Sequence, residues 1–356
     1  MVLQNNYFKF NIHLLRGISI ILIVFSHCYE FSIITFAQNK SILAKMFRDT
    51  VSGGSAFFVF VSGFLFLSIY KSNLNYFEFL FKKFKYVYIP FFFFISFDLL
   101  YIFIRIGFNY ATTNSSSDHY WNALINFEFG ATYFLGQSFV TLGILWYVPF
   151  IMLMYSLSPF FLFYSKLKFT FKVVILFLCF IVSFFLFRNH SFIFFAIFQN
   201  VIYFVPFYLL GILVSQNEEK VYLTVGYKFL IGLLFLSLFI AYIKSQFEVI
   251  FDKKLDLIMI QKAFLCIFYL VSFKIIKSKI FSILKIFASN SFGIFFIHPV
   301  LIILLSFLIN ILGITYKTES FLFYLFISIL ILLSSLLLVL FIKHILGAKS
   351  RYFIGT

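Results

Sequence analysis

Apolar runs of about 20 residues, nearly free of charge, recur from one end of this chain to the other. No feature constrains its fold more, because each run is long enough to cross a hydrocarbon core, where only helices or closed barrels satisfy the backbone. A chain of 356 residues that is 63% hydrophobic and 11% charged also has more apolar surface than one water-soluble core can hide. The mean hydropathy of +1.05 agrees. The sequence therefore reads as an all-α, polytopic integral membrane protein, with residues 1–356 forming one membrane domain and no soluble extracytoplasmic domain.

Lys, Asn, Gly and Pro punctuate the runs and predict ten spans, near residues 12–36, 51–70, 87–108, 138–164, 171–187, 192–214, 226–245, 257–275, 289–312 and 320–343. The first run is read as a retained helix rather than a signal peptide. It is followed by Cys28, Tyr29 and Glu30, where cleavage wants small residues. Most Lys and Arg fall in connections that an N-in, C-in arrangement places inside, and the polar segment from Asn109 to Asn122, which has neither, falls outside. The net charge of +16 is thus read as topology signal and lipid-headgroup contact, not as a nucleic-acid footprint. Cys28, Cys179 and Cys266 lie within apolar runs and point to neither disulfides nor metal. No metal-ligand spacing, phosphate-binding Gly-rich loop or hydrolase serine elbow is present.

The first span, NIHLLRGISIILIVFSHCYEF, carries Arg16 and His27. Eleven residues make three helical turns plus about 20°, so the two share a face about 16.5 Å apart along the axis. Ionisable groups inside a span are costly and usually face a polar interior, which marks this face as a candidate site. His13 and Glu30 extend the same stripe, and Glu30 is placed to orient the His27 imidazole. The alternative left open by spacing alone is that Arg16 snorkels to the headgroups and His27 bonds a neighbouring helix.

LLRGISIILIVFSH, with ten residues between Arg16 and His27, resembles the first-helix signature of the membrane-bound acyltransferase 3 family. Three further stretches resemble that family in order: GGSAFFVFVSGFLF from Gly53, LWYVPFIMLMYSLSP from Leu145 and SNSFGIFFIHPVL from Ser289. One departure is visible in FLFKKFKYVYIP, where Lys82, Lys83 and Lys85 stand in place of an Arg-rich loop and supply point charge without the bidentate fork. The resemblance implies transfer of an acyl group, acetyl in the simplest case, from acyl-CoA as co-substrate to a hydroxyl of a cell-surface or lipid-linked carbohydrate. It places the enzyme in the bacterial cytoplasmic membrane as a multi-pass protein, with no bound cofactor.

On that reading His27 is the general base, and Arg16 with Lys82, Lys83 and Lys85 meets the donor's phosphates. His298, just before Pro299, is expected to position the acceptor, and Trp146 to offer an aromatic platform for a sugar, although Trp146 and Tyr147 also suit plain packing. Asp98 is a supporting candidate because a carboxylate inside a span must be protonated, paired or hydrated; Arg105 lies two turns on. Ser62 and Gly63 are read as close-packing residues. A flippase or exporter of lipid-linked polysaccharide units is the alternative class, disfavoured by the absence of a repeated half; a non-catalytic scaffold would have no use for Arg16 and His27 on one face.

Overall fold

The structure, a computed structural model, describes residues 2–29, 38–70, 75–97, 100, 143–186, 193–218, 220–221, 226–247, 255–275, 280–314 and 317–356. Among these residues it is helical, with no β-strand. The helices are α1 (Val2–His27), α2 (Ile42–Val51), α3 (Ser55–Tyr70), α4 (Tyr76–Lys83), α5 (Tyr147–Ser156), α6 (Ser158–Lys166), α7 (Phe169–Phe185), α8 (Ile193–Gln216), α9 (Tyr227–Gln246), α10 (Leu257–Ile275), α11 (Ile280–Ile311), α12 (Phe321–Leu346) and α13 (Ser350–Phe353). A π-helical turn, Phe84–Tyr88, follows α4 directly.

Six spans among the described residues are long and apolar enough to cross a membrane, and the bent pair α5–α6 adds a seventh if it counts as one crossing. The chain is therefore a multi-pass membrane protein. Ten crossings are not reached, because Phe169–Phe185 and Leu257–Phe273 are short and the expected third span runs into residues outside the described ones.

Three expected helices differ in ways that local chemistry explains. The first stops at His27 instead of residue 36. Its freed Phe25 carbonyl accepts from the Cys28 N–H at 3.2 Å and from the Tyr324 hydroxyl at 2.9 Å. The second, expected over 51–70, starts only at Ser55. The amphipathic α2, absent from the sequence reading, ends at Ser52, and Gly53 at φ +73° turns the chain into α3. The fourth bends by 55° at Leu157, where Pro159 starts a new helix instead of continuing the old one.

Glycines set the closest approaches. A Cβ on Gly63 would collide with the Tyr208 carbonyl and one on Gly211 with the Phe60 carbonyl, so α3 and α8 cross backbone to backbone. Gly63 is thus a packing residue, as expected. Gly17 does the same for α1 against Leu284 of α11. Phe10 packs edge-on to Phe281 and His27 meets His298, so α1 and α11 run in the same direction. The helix α12 runs back against them: Tyr324 sits by Phe25, while Lys343 bonds Asn290 at 2.7 Å near the end where His13 meets Ser289. The start of α1 and the end of α12 therefore lie at the same end of the bundle.

Candidate active site

The last residue of α1 meets the middle of α11. His27 Nδ1 lies 2.9 Å from His298 Nε2, with the rings 8° from parallel and their centroids 5.2 Å apart. A ring nitrogen sits about 1.1 Å from its centroid, so this centroid distance requires the two nitrogens to lie on the line joining the rings. The imidazoles are thus edge to edge in one plane, sharing an in-plane hydrogen bond, and not stacked face to face.

Hydrogen-bond direction then fixes both tautomers. His298 Nδ1 lies 2.8 Å from the Ile294 carbonyl oxygen, which only accepts, so Nδ1 carries the proton. In neutral His298 the Nε2 is then a lone-pair acceptor, and His27 Nδ1 must donate to it. That leaves His27 Nε2 unprotonated. His298, expected from the sequence to position the acceptor, is fully buried and meets His27. Glu30, expected to orient His27, lies outside the described residues, as do Asp98 and Arg105.

His27 lines a cavity of about 240 Å³. One wall is the turn into α3, with Gly53, Gly54 and Ser55; another is aromatic, with Trp146, Tyr147, Phe204 and Phe295. Trp146 lies nearly parallel to Phe204 at 5.9 Å, which holds its indole at the wall. Gly54 is required here, since a Cβ would press on Ile23 of α1 at 2.8 Å and push the two helices apart.

The same cavity contains residues that spacing along one helix did not single out. Lys262 is 1% exposed, yet its ammonium is satisfied by the carbonyls of Asp49 at 2.9 Å and Thr50 at 2.6 Å, the open C-terminal end of α2. Lys244 pairs with the Asp49 carboxylate at 3.2 Å. Asp256 accepts from the Tyr203 hydroxyl at 2.8 Å and caps the first turn of α10 through Met259 N–H at 3.3 Å. An Asp just before an apolar run is a readable capping signal, but its pairing with Tyr203 is long-range.

Eleven residues before His27 the arrangement changes. The partly buried Arg16 makes no hydrogen bond or ion pair among the described residues, and Tyr147 and Tyr155 lie within its electrostatic reach. Lys343 and His13 lie within its field. The lysine cluster expected to join it is divided. Lys82 is exposed and paired with Glu78 at 2.6 Å, Lys83 lies over Tyr155 at 4.6 Å, and Lys85 turns toward Tyr352 at 5.3 Å.

Among the described residues no group of His, Cys, Asp and Glu is arranged to hold a metal ion. No curated protein and no solved structure matches the chain at a significant level. A family model described as an acyltransferase domain matches residues 9–340, nearly the whole length, and the chain belongs to this acyltransferase 3 family.

Proposed function

We propose that this membrane acyltransferase moves an acyl group, acetyl in the simplest case, from acyl-CoA to a hydroxyl of a cell-surface or lipid-linked carbohydrate, with His27 as general base. The observation that carries the reading is the free Nε2 of His27 at a cavity wall, held in that tautomer by the hydrogen-bonded His298. The acceptor hydroxyl gives its proton to Nε2 as its oxygen attacks the thioester carbonyl. The carbonyl electrons move to oxygen, then return to expel the thiolate, which takes the proton from His27. The products are the ester and free CoA thiol, and the imidazole is regenerated. While protonated, His27 keeps its Nδ1–H bond to His298, so the charge develops beside a fixed acceptor. No covalent acyl-enzyme is required.

The turn into α3 supports the other half of the step. Gly53, Gly54 and Ser55 line the cavity; the Ala56 and Phe57 N–H groups already close the first turn onto the Gly53 and Gly54 carbonyls at 3.0 and 3.2 Å, so it is the N–H groups of Gly54 and Ser55 ahead of them that suit a developing oxyanion. Trp146 offers the apolar face on which a sugar ring rests. The donor's arm accounts for the spacing along α1. About twelve bonds separate the diphosphate oxygen of CoA from its sulfur, equal to about four residues of extended chain or about 14 Å. That is comparable to the rise of about 16.5 Å between Arg16 and His27. Arg16 then meets the polar end of the arm while the thioester reaches His27.

The cytosolic donor places the Arg16 end of the bundle inside, giving both termini the cytoplasmic side of a bacterial inner membrane, in line with the distribution of Lys and Arg. Transfer of labelled acetyl from acetyl-CoA in membranes carrying wild-type or His27→Ala protein tests the reading. Loss of about 10³-fold or more is expected; a variant as active as wild type would end the proposal.

A further inference from the structure

The cavity beside His27 is smaller than the roughly 300–1,000 Å³ that ordinarily enclose a drug-sized ligand, so it fits the end of a thin arm and not a whole acyl-CoA. The donor's nucleotide end needs a second place. A cavity of about 660 Å³ opens where the chain's last residues fold against the π-turn, with walls that include Tyr86, Lys343, Lys349, Ser350, Arg351 and Tyr352. None of its lining side chains is acidic.

This wall is built rather than frayed. Positive φ at Gly347 and Gly355 turns the tail back on itself, the Ser350 hydroxyl donates to a main-chain oxygen of Thr356 at 2.7 Å, and Ile354 is 1% exposed. The π-turn Phe84–Tyr88 carries Lys85 and Tyr86 to the same place; such turns re-aim side chains and recur at functional sites. The Arg351 guanidinium lies 3.9 Å over the Tyr86 ring, and the Lys85 ammonium lies 5.3 Å from the Tyr352 ring centroid. Lys343, in the pocket's lining, bonds Asn290 at 2.7 Å beside Ser289, which His13 of α1 meets at 3.3 Å, and this links the pocket to the α1 face.

We propose that this tail pocket binds the phosphorylated nucleotide end of the acyl donor, with Lys349, Arg351 and Lys343 meeting its phosphates and Tyr86 or Tyr352 its base. The inference rests on the donor reading above. It moves the phosphate site away from Lys82, which Glu78 already engages, and keeps only Lys85 of that cluster near the pocket. Lys343 to Thr356, which form most of the wall, lie beyond the residues matched to the family. The shared chemistry is phosphate recognition, which an anionic lipid headgroup at the membrane surface would also satisfy; the concave shape and paired tyrosines favour a nucleotide.

The test is binding of adenosine 3′,5′-bisphosphate to the full-length protein in nanodiscs, with and without phosphatidylglycerol. Lys349 and Arg351 are exposed, so Lys349→Ala with Arg351→Ala leaves no internal void, and size-exclusion elution checks the fold. Wild type is expected to bind in both lipids, and the double variant at least about tenfold more weakly, with a matching rise in KM for acetyl-CoA. Arg351→Lys, which keeps charge but loses the planar fork, should fall between. Equal binding by wild type and double variant overturns the proposal. So does wild-type binding that phosphatidylglycerol abolishes, which would assign the pocket to lipid. Turnover of acetyl-CoA with unchanged KM in the double variant would sink the pocket and leave the His27 chemistry standing. Bisphosphate binding lost in the double variant, in a protein that transfers no acyl group from any thioester, would sink the chemistry and leave the pocket.

Discussion

At one end of the α1 face, His27 is held by His298 at 2.9 Å in a cavity of about 240 Å³; at the other, Arg16 has no hydrogen bond or ion pair among the described residues. The difference matches what each group would be asked to do. A base works best when its tautomer and direction are settled before substrate arrives. A cation meant for an anionic ligand has to keep its donors unspent, even though leaving it unpaired inside a protein costs stability. The first region is finished without a ligand, and the second is completed by one.

Substitutions can break or sharpen that contrast. His298→Ala should lower kcat by about 10²-fold with donor KM little changed, because His27 would no longer be held in one tautomer. His298→Gln, which returns an acceptor near the position of Nε2, should recover part of the loss; equal rates for Ala and Gln would remove the tautomer argument. Arg16→Ala should act mainly on the donor, raising KM about tenfold or more, and Arg16→Lys less so. If its effect fell on kcat alone, the two ends would not have separate tasks. Gly63→Ala tests the scaffold under both ends and should destabilise by about 1–3 kcal/mol, read as a lower melting temperature in detergent. The smallest effect is expected from Lys82→Ala. Its exposed pair with Glu78 contributes less than about 1 kcal/mol, and donor KM should hold, which kinetics in membranes would check.

The helical membrane fold was legible because apolar run length is a local signal, and Arg16 and His27 stood out because helical spacing puts them on one face. What stayed hidden was set by contacts between distant segments. His298 was visible in sequence, but nothing local says that its ring meets His27 across 271 residues. Nothing local in the sequence singles out Lys262, and only the arrival of the α2 carbonyls explains its burial. Lys343, Lys349 and Arg351 read as topology signals, since the pocket they form exists only once the tail folds onto the π-turn. The turn at Gly53 and the bend at Pro159 were written in breaker residues, yet hydrophobicity alone ran straight through them.

Pairing of the two histidines is the central claim, and a double-mutant cycle on acyl transfer tests it most directly. Rates for His27→Ala, His298→Ala and the double variant should show that removing His298 costs nothing further once His27 is gone. If the two losses instead multiply, His298 acts independently of His27 and the relay from Ile294 through His298 to His27 is contradicted.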